Sequence, residues 1–431
     1  MAVLLGTALA MMALGLPVAI AFIIANTLGA LVFMGGAAGI EQLVANATQS
    51  ISSFLLVPVP LFILMGDLFI HTGLGVRVFD AIEKLVGRVP GRLCFVAVSG
   101  GTVFAALSGS SMASTAMMGS IMVPEMLRRG YKPHMAMGPI LGAGGLAIII
   151  PPSALAVLLG SLANIDISAL LIAGILPGLL LAVLFAAVIY VQTRLDPEAA
   201  PAYDVARVPL REKLGSIVVH VLPMGLVIFS VVGLIIIGIA TPTEAAAFGV
   251  LSVVVLTLAF RCLTWDAIKK SLEGSMRVTV MVFAIILGSQ TFSQILAFSG
   301  ATSGLVGWTG DLKFEPLVML AMMFGVLIVL GLFIDQVSQM MLTIPIFMPV
   351  AAALGFDPVW FGIIVMLSLE MSALTPPFGL QLFVMMGVGP AGTTLGDVSR
   401  AAVPYLLCDL IVVGLIIAFP ALALYLPGMI K

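Results

Sequence analysis

The sequence predicts an all-α polytopic membrane protein. It should have about 10 transmembrane helices and two re-entrant helical hairpins, arranged as inverted repeats. Three observations carry this. Hydrophobic residues make up 61% of the 431-residue chain and charged residues only 9%, with a mean hydropathy of +1.26. A soluble domain is roughly 25% charged, so this chain cannot cover a water-facing surface. Its apolar runs are long and continuous, which favours helices over the alternating strands of a barrel. Finally, prolines and glycines recur at a constant offset of 225 residues.

The same numbers exclude whole classes. A disordered chain is too polar to fit, and 18 basic against 20 acidic residues leave no basic field for nucleic acid. Cys94, Cys262 and Cys408 are far apart in or beside apolar runs and read as small buried hydrophobes. The first basic residue is Arg77, so no cleavable leader is expected.

The apolar runs place helices at 1–14, 18–35, 54–72, 133–160, 168–193, 218–239, 243–260, 278–298, 358–386 and 400–427. Two further runs are interrupted. Residues 93–127 break at Leu107-Ser108-Gly109-Ser110-Ser111, and residues 316–354 break at Asp335-Gln336. Arg77, Lys84, Arg88 and Arg92 precede the first run, and Arg128, Arg129 and Lys132 follow it. Cytoplasmic loops collect Lys and Arg, so both ends of this run are expected in the cytoplasm. Each arm makes about 22 Å of helix, short of a ~30 Å hydrocarbon core. A re-entrant hairpin fits, with Ser108 to Ser111 at its tip inside the membrane. Counting onward, basic clusters fall at Arg194, Arg207, Arg211 and Lys213, then at Arg261, Lys269, Lys270 and Arg277. The second hairpin, flanked only by Lys313, then enters from outside. The polar stretch 194–216 is expected to be a cytoplasmic linker between a first repeat (1–193) and a second (217–431).

The offset of 225 aligns Pro17 with Pro242, Pro124 with Pro349, Pro133 with Pro358, Pro151 with Pro376 and Pro152 with Pro377. Gly100/Gly325 and Gly130/Gly355 fall on the same offset. Helix kinks alone explain prolines in membrane helices but not a constant offset. Because the matched hairpins enter from opposite faces, the repeats are inverted, a design shared by many secondary transporters.

Each half offers two breaks at membrane depth. The first has Ser108-Gly109-Ser110-Ser111 and Ile150-Pro151-Pro152-Ser153; the second has Asp335-Gln336-Val337-Ser338-Gln339 and Thr375-Pro376-Pro377-Phe378-Gly379. Proline removes an N–H donor and opens the helix. Exposed carbonyls and hydroxyls suit a hard cation, and exposed N–H ends suit an anion. Every Lys and Arg falls in a predicted loop or span end, whereas Asp335, Glu370 and Asp409 lie in apolar runs. Cation binding follows for such acids, as does protonation or access to water. Asp335 is equally suited to cap the helix after it; Glu370 and Asp409 stay unassigned. Thr241-Pro242-Thr243-Glu244 reads as a capping box, and Asp166 and Asp397 as caps. An enzyme reading competes: Gly109-Ser110-Ser111-Met112-Ala113 faintly resembles an intramembrane serine protease segment. That chemistry needs a nearby histidine, and His71, His134 and His220 all sit at predicted span ends. A channel would explain polar midplane residues but not two opposed hairpins. A lone ion-coupled anion transporter of elevator type is a further alternative.

Ser108 to Ser114, Pro151-Pro152-Ser153, Pro345 to Pro349, Gly355 to Gly362 and Thr375 to Phe383 together resemble the large membrane subunit of tripartite ATP-independent periplasmic (TRAP) transporters. The likeness runs nearly end to end. It implies sodium-coupled import of an organic acid by an elevator motion, with scaffold and transport domains, in the bacterial inner membrane. It implies two protein partners, a small four-helix membrane subunit and a periplasmic substrate-binding protein, and no cofactor beyond sodium. By position, the sodium and substrate sites would comprise Ser108, Gly109, Ser110, Ser111, Pro151, Ser153, Asp335, Gln336, Thr375, Pro376 and Gly379. Gln381 departs from the asparagine more usual there.

Overall fold

A computed structural model describes residues 2–429, apart from 88, 203–208, 210–211, 213–214 and 312–313. Arg88, Arg207, Arg211, Lys213 and Lys313, used above to orient the chain, lie outside the described residues, as does much of the 194–216 linker. The described residues form helices and turns and no strand.

The first half contains α1 (Ala2–Ala13), α2 (Val18–Phe33), α3 (Ala37–Ile51), α4 (Pro58–His71), α5 (Leu74–Leu85), α6 (Arg92–Ser108), α7 (Ser111–Arg128), α8 (Pro133–Ile149), α9 (Ala154–Ala163), α10 (Ile167–Ala173) and α11 (Ile175–Leu195). The second contains α12 (Ile217–Ile236, with two π-helical turns), α13 (Pro242–Ala259), α14 (Trp265–Phe298), α15 (Ala301–Asp311), α16 (Pro316–Leu330), α17 (Gln336–Ala353), α18 (Pro358–Leu374), α19 (Leu380–Val388), α20 (Leu395–Ala418) and α21 (Ala421–Gly428). The offset of 225 reappears in these boundaries. Ser111–Arg128 and Gln336–Ala353 both span 18 residues, and Pro133–Ile149 and Pro358–Leu374 both span 17.

Among the described residues seven helices are long and apolar enough to cross a membrane, or eight if the pair α8 and α9, bent by 41°, is one span. Six of the ten expected spans are among the seven, whose other member is α17, an arm of the expected second hairpin; four expected spans are not single straight helices of that length. The physical reason is length: α1 has 12 residues and α2 has 16, short of the ~20 a straight span needs. Helix 358–386 does not run through but stops at Leu374 and resumes at Leu380. In the other direction, α14 begins at Trp265 and runs for 34 residues, well before the expected start at 278.

Helices α3, α5 and α15 were not expected. Helix α5 buries Leu74, Val78, Phe79, Ala81 and Ile82 on one side and carries Arg77, Asp80, Glu83 and Lys84 on the other. Such an amphipathic stripe never forms a continuous apolar run, so a search for runs passes over it.

Helices α8 and α18 form the centre. Residues 135–149 of α8 and 360–374 of α18 are all buried. Helix α8 admits its neighbours because it is notched by glycine. At Gly142 a Cβ would fall 2.5 Å from the Tyr405 ring, and at Gly138 it would fall 2.8 Å from the same ring. The peripheral helices instead expose Leu179, Val183, Leu222, Leu226, Leu251 and Val255, as lipid contact requires. Charges gather in ion pairs. Glu83 binds Arg92 at 3.2 Å and Arg129 at 3.3 Å, and Lys132 binds Asp196 at 2.5 Å. All three cysteines are free, with Cys94 and Cys408 buried.

Candidate functional site

Each hairpin turns through residues suited to stop one helix and start another. Gly109 has φ of +61°, a left-handed conformation in which a Cβ is strained. Ser110 is extended, and its Oγ accepts from the Ala113 N–H at 3.3 Å, capping α7. In the second hairpin Asp335 plays that part, accepting from the N–H groups of Val337 and Ser338 at 3.1 Å and from the Ser338 hydroxyl. The capping function foreseen for Asp335 is therefore present. So is that of Asp166, whose carboxylate accepts from Ser168 and Ala169, and the Thr241/Glu244 capping box. Asp397 is not itself a cap residue; it is the third helical residue of a capping box whose cap is Thr394.

The two Pro-Pro breaks are built alike. Pro151-Pro152 and Pro376-Pro377 are both cis. After the first, Ser153 is fully buried and its Oγ caps α9 through the Ala156 N–H at 3.2 Å. After the second, Thr375 turns its hydroxyl back to the Met371 carbonyl at 2.7 Å, and Gly379 packs so closely that a Cβ would lie 2.8 Å from the Ala373 carbonyl carbon. The surroundings differ. Pro151, Pro152 and Ser153 are buried, whereas Pro377 and Phe378 are exposed.

Tip and break lie side by side in each half. Gly109 faces the Ala154 nitrogen and the Pro152 carbonyl, at 3.7 and 3.8 Å from its Cβ position. The Phe333 and Phe378 rings meet at a tilt of 34° with centroids 5.7 Å apart. The two tips also meet: the Ser111 hydroxyl donates to Gln336 Oε1 at 3.3 Å, and these residues are 225 apart. Each opens its helix, so two helix N-termini, with their partial positive charge, converge on this contact. Ser110 and Asp335 spend their side chains on their own helices.

Gln339, Ser372, Ser114 and Thr115, which the site expected from sequence did not include, complete the polar layer with Gln336, Ser108 and Gln381. Gln336 Nε2 donates to the Leu369 carbonyl at 3.2 Å. Gln339 Nε2 donates to the Leu327 carbonyl, and its Oε1 accepts from Ser372 at 3.1 Å. Ser108 and Ser114 share a hydrogen bond of 2.6 Å. Gln381 Nε2 bridges the Thr115 hydroxyl at 2.7 Å and the Leu141 carbonyl at 2.9 Å, joining the break of the second half to the hairpin of the first. The usable signal was polar residues one turn apart on apolar helices: Gln336 and Gln339, Ser111 and Thr115, Ser368 and Ser372.

The layer is rich in carbonyl, hydroxyl and amide oxygens and in helix N-termini. It could hold a hard monovalent cation at the oxygens and a carboxylate at the N–H groups. Among the described residues no three His, Cys, Asp or Glu side chains gather as a metal cluster. His71 is engaged with the Asp67 carbonyl at 2.9 Å, and the His220 side chain lies outside what is described.

Comparison with known proteins gives one consistent answer. The profile of the family described as "Tripartite ATP-independent periplasmic transporter, DctM component" matches residues 5–422. The C4-dicarboxylate TRAP transporter large permease protein DctM of Pseudomonas aeruginosa is 34% identical over 90% of each chain. The ectoine/5-hydroxyectoine large permease UehC of Ruegeria pomeroyi is 30% identical over 97% of each. The sialic acid large permease SiaM of Vibrio cholerae is 30% identical over 96% of this chain and 95% of its own. Among solved structures, the Alcanivorax borkumensis YdaH transporter shares the fold, with a TM-score of 0.68 over 91% of each chain at 14% identity.

Proposed function

The chain belongs to the DctM component family of tripartite ATP-independent periplasmic transporters, and from that membership we propose that it is the permease of a sodium-coupled importer of an organic acid. It is a multi-pass membrane transport subunit and not an enzyme. The observation that carries the finer reading is the contact of Ser111 with Gln336. It brings two capped helix N-termini together in a layer rich in carbonyl, hydroxyl and amide oxygens.

In this reading sodium is cargo. It binds oxygens around Ser108, Gly109, Ser110, Ser111, Pro151 and Ser153 on one side, and around Asp335, Gln336, Thr375, Pro376 and Gly379 on the other. The substrate carboxylate takes the N–H ends, and bound cations supply the charge that Lys and Arg do not. Residues 1–193 and 217–431 act as inverted repeats, and both hairpins move together as a transport domain against a scaffold. Supporting this is the recurrence of helix limits at one offset. A small four-helix membrane subunit and a periplasmic binding protein complete the assembly in the inner membrane. The relatives' names put C4-dicarboxylates, ectoines and sialic acid in the range of substrates to try.

Reconstitution tests it. The chain, its small subunit and the binding protein in liposomes should take up substrate only with external sodium. Equal uptake by the chain alone in sodium-free buffer would point to a lone transporter of another class.

A further inference from the structure

The centre of the molecule contains an acid pair that no protein donor satisfies. Glu370 on α18 and Asp409 on α20 are both 0% exposed, and none of their four carboxylate oxygens has a hydrogen-bond partner. Gln381 is likewise 0% exposed. With its amide N–H groups given to Thr115 and Leu141, its Oε1 is left unpartnered. The Gln381 amide nitrogen lies over Gly144, and the Glu370 carboxylate lies over the neighbouring Gly145. Helix α20, which carries Asp409, packs on α18, which carries Glu370, and both pack on α8. None of these acceptor oxygens has a hydrogen-bond partner.

No neighbouring charge compensates. Among the described residues, α16, α17, α19, α9 and α10, which pack on α18, contain no ionisable side chain; Asp335 and Asp166 stand at their caps. Helix α8 has only His134, eleven residues before Gly145, or about 16 Å of helix rise. Helix α11 has Tyr190 and Arg194 in its last turns, and α21 has Tyr425, which is exposed. On α20 itself, Asp397 and Arg400 lie at the far end, and Tyr405 and Cys408 are the near neighbours. Asp357 caps α18 thirteen residues before Glu370. A buried carboxylate without a cation or a donor neutralises. A hard metal cation would ask for about six oxygens, and no third carboxylate, histidine or thiolate stands here.

We propose that Glu370 and Asp409 form a proton-binding site that holds at least one proton at neutral pH. A carboxylate only accepts, but a protonated carboxyl gains an O–H donor, which is what the unpartnered Gln381 Oε1 and the second acid lack. The site goes beyond the sodium reading and does not depend on it. Glu370 stands five residues before Thr375, where α18 opens.

Infrared spectroscopy of the purified full-length chain tests the proposal without any substrate. At about pH 7.5, ordinary carboxyls with pKa values of about 4 are ionised. The wild type should still show the carbonyl stretch of an un-ionised carboxyl, shifting in heavy water. Glu370→Gln and Asp409→Asn together should abolish it, and Glu244→Gln, at the exposed capping box, should leave it intact. A wild type without the band, or a double variant that keeps it, overturns the proposal. If the double variant does not fold, Asp409→Asn alone serves: the band must shift or vanish, and an unaltered band overturns the proposal equally.

Discussion

Glu370 lies against Gly145, the residue 225 positions before it. A Cβ at Gly145 would fall 2.7 Å from the Glu370 carboxyl carbon and 2.8 Å from its Cγ. Ser111 and Gln336, bonded at the hairpin tips, are separated by the same number. Both contacts therefore join positions one 225-residue offset apart.

The first prediction follows from that crowding. Gly145→Ala should destabilise the protein by about 1–3 kcal/mol, the usual cost of an overpacked core. Glu370→Ala should relieve part of it by removing the atoms in the way. Melting curves in detergent for the two single variants and the double variant check this. Strictly additive losses would show that the two side chains do not compete for one volume.

The second concerns the tips. If the proposed cation site includes them, Asp335→Asn and Ser110→Ala should raise the half-saturating sodium concentration for uptake more than they lower expression, because the first removes a charge and the second a hydroxyl oxygen. Neither removes apolar packing, so assembly should persist. Unchanged sodium dependence in both would leave Asp335 and Ser110 as helix caps alone.

A third is topological. Cysteines placed at 92 and 128 should be labelled from the same, cytoplasmic face. One at 110 should be reached from the cytoplasm and one at 336 from outside. Labelling of 92 and 128 from opposite faces would remove the first re-entrant hairpin.

A fourth concerns acid. Asp196, just past the span Ile167–Leu195, accepts a hydrogen bond from Lys132 at 2.5 Å, which holds its carboxyl below the usual carboxylate range. A depressed pKa contributes stability above the unfolded value of about 4, lost as the pH falls through the folded one. Wild type and Lys132→Met should therefore differ slightly in Tm at about pH 6 and converge at about pH 3. A constant gap would mean that the lysine acts through something other than this pair.

Much of this architecture was legible in the sequence because membrane helices advertise themselves by composition. The arms expected over 93–127 and 316–354 emerge as Arg92–Ser108 with Ser111–Arg128 and as Pro316–Leu330 with Gln336–Ala353. Proline and glycine mark breaks whatever surrounds them, so Pro151-Pro152 and Pro376-Pro377 could be found without tertiary knowledge. Amphipathic α5 was invisible to a search for apolar runs. The partners of Glu370, Asp409 and Gln381 were invisible for another reason. Gly145 against Glu370, and Thr115 and Leu141 bonded to Gln381, lie on helices of the other half of the chain, and single-sequence spacing says nothing about which helix faces which.

The glycine notch at 145 has a consequence for how such a chain can arise. Gly145 and Glu370 together fill the room of one side chain. Were the halves identical subunits of a dimer, both positions would carry the same residue. Two glycines would leave a void and two glutamates would collide. In one polypeptide the two positions are free to be unlike, so one half furnishes the acid and the other the space it occupies.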